Sequence, residues 1–479
     1  MVASEVPASP ESYDLTPRQV EILNLIGRGL SNRDISELLG ISVNTVKVHV
    51  RALMAALDVS NRTEAVFVYE RLKRMPESPA GEALSLAGAT GRPAIAVLPF
   101  AFTDADQGQH HLPRALSEDL IARVGVWKWF RVLGYTAVAE IDPDDFAAVQ
   151  RLGAQYCVSG HIRRLGEHLQ VNAELVHAPD ATVIWSARQS GDSTDLVAFI
   201  ETTARQIVGR MAPELLRRDG EHAASRSFPA WNEASRAMWH IYVGSRAHSA
   251  IAAEAWERAI ALDPNLVFAW YAKAAGLYQR VFDQWSEDPR ADMAAFVEAA
   301  ERCVALDISD SAAQEICGFA RLVTGRLDDA IVHLERAVSL NPSNAQAYSE
   351  LGQAYTFRGR YAEGIAAFEE ALSINPQGDS TWSVNAGIAF AWFLTDELDQ
   401  AISYQRRAVA INPNILTPQI FLAGYLAAAG QLAEARTLAA AVLEKDPTFR
   451  IETVTRSLAV VSRPLEQKFA AAAAAAGLD

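Results

Sequence analysis

The sequence is poor in the features that mark several common classes of protein. Its 479 residues include three cysteines, Cys157, Cys303 and Cys317, which form neither a CxxC pair nor a metal-site spacing. An odd number of scattered cysteines indicates reduced thiols in a cytoplasmic protein rather than a disulfide framework. The most apolar stretches, 387–394, 421–430 and 469–478, are each about half the ~20 residues that a membrane-spanning helix needs. We therefore expect a protein without membrane contact.

Motifs of catalytic and nucleotide-binding sites are also missing. The sequence has no GxxxxGK[ST], GxGxxG or GxSxG, which serve phosphate cradling, dinucleotide binding and nucleophilic catalysis. The N-terminal MVASEVPASPESYDL lacks the basic start and apolar core of a signal peptide. His110 and His111 have no third ligand at a suitable spacing, and His161 stands alone in a strand-like segment. These absences predict a cytoplasmic protein that is not an enzyme and holds no metal or other cofactor.

The charge is unevenly distributed along the chain. The whole sequence has a net charge of −15, yet residues 16–75 contain nine Arg or Lys against six Asp or Glu. The overall acidity argues against nonspecific nucleic-acid binding by the whole molecule. A locally basic segment on an acidic body is instead typical of a sequence-reading DNA-binding module.

Four short helices are predicted between residues 15 and 74. They begin at the cap residues Thr16, Ser31, Ser42 and Asn61. The second carries Ile35, Leu38 and Leu39 on one face, and the third has an apolar stripe that includes Val46 and Val50.

The segments LTPRQVEIL, GLSNRDISELLGIS, NTVKVHV and VSNRTEA, within residues 15–65, resemble the DNA-binding domain of the LuxR family. The resemblance implies a helix-turn-helix whose third helix lies in the major groove. By position, the implied base-reading residues are Lys47, Val48 and Arg51. The implied backbone contacts are Thr16, Asn32, Asn44, Thr45 and His49. The fourth helix would supply the dimer contact through Asn61, Ala65, Val68 and Leu72.

The residues themselves support a base-reading role for Lys47 and Arg51. Four positions apart, they share one helix face, opposite the apolar stripe. Both are long hydrogen-bond donors that reach guanine O6 and N7, whereas Val48 suits a thymine methyl group. A solvated basic face is the plain alternative for such a pair.

Residues 76–92, rich in Pro, Gly, Ala and Ser, predict a flexible linker. Residues 93–219 follow with strands predicted at 95–100, 130–134, 154–164, 168–176 and 182–189, and helices at 116–129, 145–152 and 196–216. This alternation indicates a small α/β domain. IAVLPF, LSEDLIARV, LGAQYCVSGHIRR, LQVNAELV and VIWSAR resemble the TolB-N-like domain found before repeats in some regulators and adenylate cyclases.

Residues 230–449 repeat with a period near 34. Units of the form A-x₆-A-x₄-P end at Pro264, Pro342 and Pro413, and units with Gly364 or Val442 in one of the alanine positions end at Pro376 and Pro447. These units resemble tetratricopeptide repeats, and about six are predicted, followed by capping helices over residues 450–479. The fold class is therefore multidomain and mainly α: a four-helix head over residues 1–75, a small α/β middle domain, and an α-solenoid of helix pairs.

The groove of the solenoid is predicted to be apolar. The positions expected to face it pair as Ala237 with Ile241, Glu315 with Phe319, Ser349 with Gln353, Ala386 with Phe390, and Ile420 with Gly424. They lack the Lys and Asn that clamp acidic peptide tails. Such a groove suits a hydrophobic peptide, another protomer, or packing against the middle domain.

Three hypotheses for function follow. The first is a one-component transcription regulator that binds double-stranded DNA as a dimer, with the other domains sensing or docking a signal. The second is a repeat scaffold for protein assembly with an auxiliary DNA-binding head. The third is a sensor that binds a small-molecule effector in the α/β domain.

Overall fold

The computed structural model divides into two compact units, Met1–Ser85 and Leu86–Asp479. It describes residues 22, 25, 26, 32–39, 46, 47, 50, 92–103, 111–142, 145–192, 195–221, 228–378, 380–452, 454 and 463–478. In the first unit, helix α1 spans Asn32–Leu39. Ile35 and Ser36 are buried but Leu38 is 65% exposed, so the expectation that Leu38 shares the buried face is wrong. At about 100° per residue, a face centred on Ile35 and Ser36 turns Leu38 towards solvent.

A mixed sheet lies near the start of the second unit. Its strands are β1 Ala94–Val97, β2 Ala101–Phe102, β3 Arg131–Val132, β4 Tyr156–Leu165, β5 His168–His177 and β6 Thr182–Asp192. The strand order is β3-β1-β4-β5-β6, and β2 also pairs with β4. Strand β1 runs parallel to β3 and β4, whereas β4, β5 and β6 form antiparallel ladders. Gly166, with φ +65°, allows the tight turn between β4 and β5.

Helices cover both faces of the sheet at β1. They are α2 His111–Val126, α3 Tyr135–Val138, α4 Phe146–Arg151 and α5 Leu196–Glu221. Successive residues of a strand point to opposite faces. Ile95 thus belongs to the core that includes α2 and α5, whereas Ala96 packs with Val138 of α3 and Val149 of α4. Coverage of both faces explains why the strand is apolar throughout.

Six antiparallel helix pairs follow within residues 228–452. They are α6 Pro229–Val243 with α7 Arg246–Leu262, α8 Val267–Phe282 with α9 Pro289–Leu306, α10 Ser311–Val323 with α11 Leu327–Leu340, α12 Ala345–Phe357 with α13 Tyr361–Ile374, α14 Thr381–Leu394 with α15 Leu398–Ile411, and α16 Leu416–Ala428 with α17 Leu432–Lys445. This solenoid, together with the small mixed sheet, confirms the predicted fold class.

Small residues allow the two helices of a repeat to approach closely. The alanines at the two alanine positions of the repeat pattern are all buried: Ala252, Ala259, Ala330, Ala337, Ala371, Ala401, Ala408 and Ala435. Gly364 occupies the same position in α13, where a Cβ atom would lie 2.4 Å from Thr356 Oγ1 and 2.9 Å from the carbonyl oxygen of Gly352. Since real Cβ contacts are longer than 3.0 Å, this position requires glycine.

A last helix, α18 Arg463–Ala476, closes the stack. Its Phe469 is fully buried, with its ring centroid 4.7 Å from that of Phe421 on α16. A Cβ atom at Gly424 would lie 2.5 Å from the Phe469 ring. Helix α18 therefore covers the apolar face that the final repeat would otherwise expose.

The α/β part and the first repeats share one continuous core. The Trp129 ring lies 4.6 Å from Phe268 of α8, and the Phe130 ring lies 5.2 Å from Trp231 of α6, measured between centroids. At the rim of this contact, Lys128 Nζ lies 2.7 Å from Asp307 Oδ2. The middle segment therefore packs directly on the solenoid.

Helix α5 extends this contact to the fourth repeat. Arg205 forms an ion pair with Glu370 at 2.9 Å, and Gln206 donates to the carbonyl oxygen of Ser373 at 2.8 Å. Gly209 of α5 lies against the end of α13, where an added Cβ atom would be 2.1 Å from Ile374 Cγ2. Glycine at this position lets the helix backbone approach the repeats.

The described helices differ in length and apolar composition, the two properties that decide whether a helix can cross a bilayer. None of them combines the necessary length with the necessary apolar composition.

Candidate DNA-binding segment and repeat groove

In the N-terminal unit, some of the described side chains are buried and others are exposed to solvent. Val46, Lys47 and Val50 are helical, with Val46 and Val50 buried and Lys47 exposed. Ile22 and Ile26 are fully or almost fully buried in the same unit. The valines thus anchor this helical segment, while Lys47 is accessible to a partner as a base-reading residue must be.

Most of the other predicted DNA-contact residues lie outside the described residues. These are Thr16, Asn44, Thr45, Val48, His49 and Arg51. The predicted dimer contacts Asn61, Ala65, Val68 and Leu72 also lie outside them. Asn32 is the first residue of α1, but its side chain lies outside the described part. These assignments stay predictions.

The histidines considered for metal binding do not form a described site. His110 lies outside the described residues, as does the side chain of His111. His161 is exposed on the sheet, where its Nε2 lies 2.9 Å from Nδ2 of Asn172. Among the side chains that the structure describes, no three His, Cys, Asp or Glu residues are grouped to hold a metal ion.

The first helices of the repeats line a cavity of about 340 Å³ on the groove side of the solenoid. Several predicted groove positions line it, namely Phe319, Ser349, Gln353, Ala386 and Phe390. Further lining comes from α16 through Thr417, Pro418, Phe421 and Tyr425. The groove therefore contains an aromatic chamber between the third and sixth repeats.

Two acidic side chains are buried beside this chamber. Glu315 on α10 is 4% exposed and Glu350 on α12 is 5% exposed. The Tyr271 hydroxyl donates to Glu315 Oε2 at 3.3 Å, and Gln346 Nε2 donates to Glu350 Oε1 at 2.8 Å. Burial raises the pKa of Glu315 to about 8. Burial, and then the negative charge of Glu315, raise the pKa of Glu350 well above its usual range.

The acidic pair predicts a stability that falls as the pH rises. In the unfolded chain both carboxyls ionise near the ordinary glutamate pKa of 4.5, whereas in the folded protein they retain the proton to higher pH. Their contribution to folding is complete below about pH 4.5, and that of Glu315 is lost as the pH rises through about 8. We expect Glu315→Gln to raise the melting temperature relative to wild type by about 2 °C more at about pH 9 than at about pH 5.

Differential scanning fluorimetry at both pH values provides the measurement. Glu369→Gln is the matched control because Glu369 is exposed on α13, and its difference from wild type should not change with pH. If the melting-temperature difference between Glu315→Gln and wild type were also independent of pH, the Glu315 carboxyl would not titrate between these two pH values.

Three polar atoms at the chamber have no described hydrogen-bond partner. They are Glu350 Oε2, Gln405 Oε1 and the Tyr425 hydroxyl. The predicted groove positions do not include these residues. Glu350 and Tyr425 each directly follow a predicted position on a first helix, whereas Gln405 lies on a second helix. A signal was present for Gln405, because it is a polar residue at a position where the neighbouring second helices bury Phe368 and Ala439.

Two separate segments of the chain match known families. Residues 13–69 match the family model described as bacterial regulatory proteins, luxR family, and residues 320–379 match a tetratricopeptide repeat model. The transcriptional regulatory protein LiaR of Bacillus subtilis (strain 168) is 46% identical over 57 residues, which are 12% of this chain and 27% of LiaR.

A longer match involves a putative adenylate cyclase 3 of Rhizobium meliloti (strain 1021). It is 24% identical over 250 residues, which are 50% of this chain and 42% of the relative. The chain thus spans less than half the length of these curated relatives. Among solved structures, the type IV pilus biogenesis factor PilW is 16% identical with a TM-score of 0.39, covering 47% of this chain and 97% of PilW.

Proposed function

We propose that this chain, which carries a LuxR-family helix-turn-helix segment and tetratricopeptide repeats, is a one-component transcription regulator that binds specific DNA as a dimer. One observation carries the proposal. Within the matched segment, Lys47 is exposed while Val46 and Val50 beside it are buried. That arrangement is what a recognition helix needs, because its apolar side must be anchored while its polar side enters the major groove.

The repeats are proposed to receive a signal that controls the DNA-binding segment. Tetratricopeptide repeats with an open groove suit a protein or peptide partner. A coupling free energy of ~1–3 kcal/mol between the two sites would be enough to switch DNA occupancy. The same proposal puts the protein in the cytoplasm, where chromosomal DNA lies.

We infer further that the chain is not an enzyme, although one relative is named as a putative adenylate cyclase. The two matched families are a DNA-binding family and a repeat family. The match to the cyclase leaves more than half of that relative uncovered. Incubation of the purified chain with ATP and Mg²⁺ should therefore produce no cyclic AMP, and sustained production would contradict the inference.

Chromatin immunoprecipitation with sequencing tests the proposed function. Wild-type protein should enrich discrete sites that share an inverted repeat, with half-sites about one helical turn or a multiple of it apart. The Lys47→Ala variant should lose this enrichment, while Lys445→Ala, which removes an exposed lysine of α17, should retain it. Identical profiles for wild type and Lys47→Ala would contradict the proposal.

A further inference from the structure

The chamber in the repeat groove has the size and lining of a small-molecule site. Its volume of about 340 Å³ falls at the lower end of the range of ~300–1,000 Å³ that is usual for ligand pockets. Five aromatic rings from four helices form much of its wall: Phe319, Phe357, Trp382, Phe390 and Phe421. Aromatic walls with a few polar groups are characteristic of pockets that bind compact organic molecules.

The polar groups of this wall are buried yet incompletely paired. Glu350 is 5% exposed, Gln405 is 1% exposed and Tyr425 is fully buried. Gln405 uses its Nε2 to donate to the carbonyl oxygen of Pro418 at 2.9 Å, which leaves its Oε1 without a described partner. Glu350 Oε2 and the Tyr425 hydroxyl also have no described hydrogen-bond partner. Buried polar atoms are nearly always hydrogen-bonded, so three such oxygens on one cavity indicate a missing hydrogen-bond donor.

The charged residues around the cavity indicate what kind of hydrogen-bond donor would pair with these oxygens. The described lining contains Glu350 but no Lys, Arg or His. The charged group acting on Glu350 is another acid, Glu315, whose negative charge adds to the effect of burial in raising the pKa of the Glu350 carboxyl. An ammonium group supplies three N–H donors and no acceptor. Beside an ammonium group, the Glu350 carboxyl would release the proton that burial and Glu315 otherwise make it retain, and an ion pair would form. The faces of the surrounding rings attract the ammonium group as well.

We propose that this chamber binds a free organic ammonium compound, with its charged end at Glu350 and its apolar body against the aromatic wall. The assignment goes beyond the proposed function and does not depend on DNA binding. A ligand with a carboxylate or phosphate would meet an acidic wall without a cation. A neutral ligand would leave the Glu350 carboxyl protonated and the two neighbouring acids without a cation.

Isothermal titration calorimetry with three matched compounds on the full chain tests the proposal. Tryptamine carries an ammonium group, tryptophol replaces it with a hydroxyl, and indole-3-propionate replaces it with a carboxylate. We expect tryptamine to bind at least about tenfold more tightly than either of the other two. No tryptamine binding, or equal binding of tryptamine and tryptophol, would overturn the proposal.

Two variants locate the binding in the chamber. Glu350→Gln keeps the shape of the side chain but removes its charge, so it should abolish the tenfold preference for tryptamine. Ala386→Leu fills the cavity from α14 and should weaken all three compounds, since Ala386 lines the wall. Glu369→Gln, an exposed acid on α13, should leave tryptamine binding unchanged. Tryptamine affinity that is the same in Glu350→Gln as in wild type would overturn the assignment.

A peptide distinguishes a free compound from a protein side chain. Acetyl-Gly-Lys-Gly-amide presents the same ammonium group on a peptide backbone. The proposal predicts weaker binding of this peptide than of tryptamine, because the peptide lacks the aromatic body that the wall contacts. Tighter binding of the peptide would indicate that the chamber binds a lysine of a protein partner. It would overturn the proposal that the ligand is a free compound.

Discussion

Replacing Lys47 or Arg51 with alanine is expected to lower affinity for the specific DNA site by about 5- to 150-fold for each variant. This range corresponds to the ~1–3 kcal/mol by which a bidentate contact to guanine discriminates between bases. Lys47 is exposed on the described helical segment, so its removal leaves the buried valines in place. Arg51, which lies outside the described residues, is predicted to read bases from the same helix face. Fluorescence anisotropy with a labelled duplex of the best enriched site measures both affinities.

Two comparisons separate base reading from general charge. Binding to an unrelated duplex should fall much less in these variants than binding to the specific site, because nonspecific affinity comes from phosphate contacts spread over many cations. Lys445→Ala should bind both duplexes as wild type does. If Lys47→Ala and Arg51→Ala weakened specific and unrelated DNA by the same factor, both residues would be phosphate contacts rather than base readers.

Replacing Asp219 with alanine is expected to reduce the free energy of unfolding of the second unit by about 3 kcal/mol or more. Asp219 on α5 is fully buried and joins three parts of the fold. Its carboxylate accepts hydrogen bonds from the Tyr156 hydroxyl of β4 at 2.8 Å, Trp231 Nε1 of α6 at 2.8 Å and the Ser235 hydroxyl at 2.5 Å. Alanine would remove the carboxylate that accepts all three of these buried hydrogen bonds, at about 1–3 kcal/mol each.

Urea denaturation followed by circular dichroism measures this loss. Tyr156→Phe is the graded control, because it removes one donor and leaves the carboxylate with its other described donors. We expect Tyr156→Phe to cost about 1 kcal/mol, clearly less than Asp219→Ala. A cost for Asp219→Ala within about 0.5 kcal/mol of zero would contradict a role for Asp219 in joining the sheet to the first repeat.

Local sequence patterns predicted the elements that recur or are long. The 34-residue period and its alanines lead directly to the six helix pairs, because close helix contact requires a small side chain at a fixed position. The strands at 168–176 and 182–189 match β5 and β6 well, since alternating polar and apolar residues mark a sheet with one covered face. The domain boundaries and the TolB-N-like character of the middle segment stay predictions.

Strand β2 and the C-terminal end of helix α5 depend on contacts with other elements of the fold. The two-residue strand β2 exists because residues 101 and 102 pair in parallel with residues 161 and 162 of β4. No periodicity can be read from two residues. Helix α5 runs five residues beyond its predicted end at 216, where Asp219 meets Trp231 and Ser235. A polar residue at that position looks like a solvated end until its partners from other elements are known.

The chamber was the least predictable feature. The groove positions 319, 349, 353, 386 and 390 could be assigned from the repeat period, and they do line it. The unpaired oxygens of Glu350, Gln405 and Tyr425 could not, since they lie on three different helices. Whether a buried polar atom finds a partner depends on packing between repeats, which a one-dimensional pattern does not encode.

Sequence-specific DNA binding is the central claim of this account, and one affinity ratio tests it most directly. The purified full chain is titrated at physiological salt into its best enriched duplex and into a shuffled duplex of the same length and composition. We predict affinity for the enriched duplex at least about 10³-fold higher, the lower limit for specific DNA-binding proteins. Equal affinity for the two duplexes would contradict the claim.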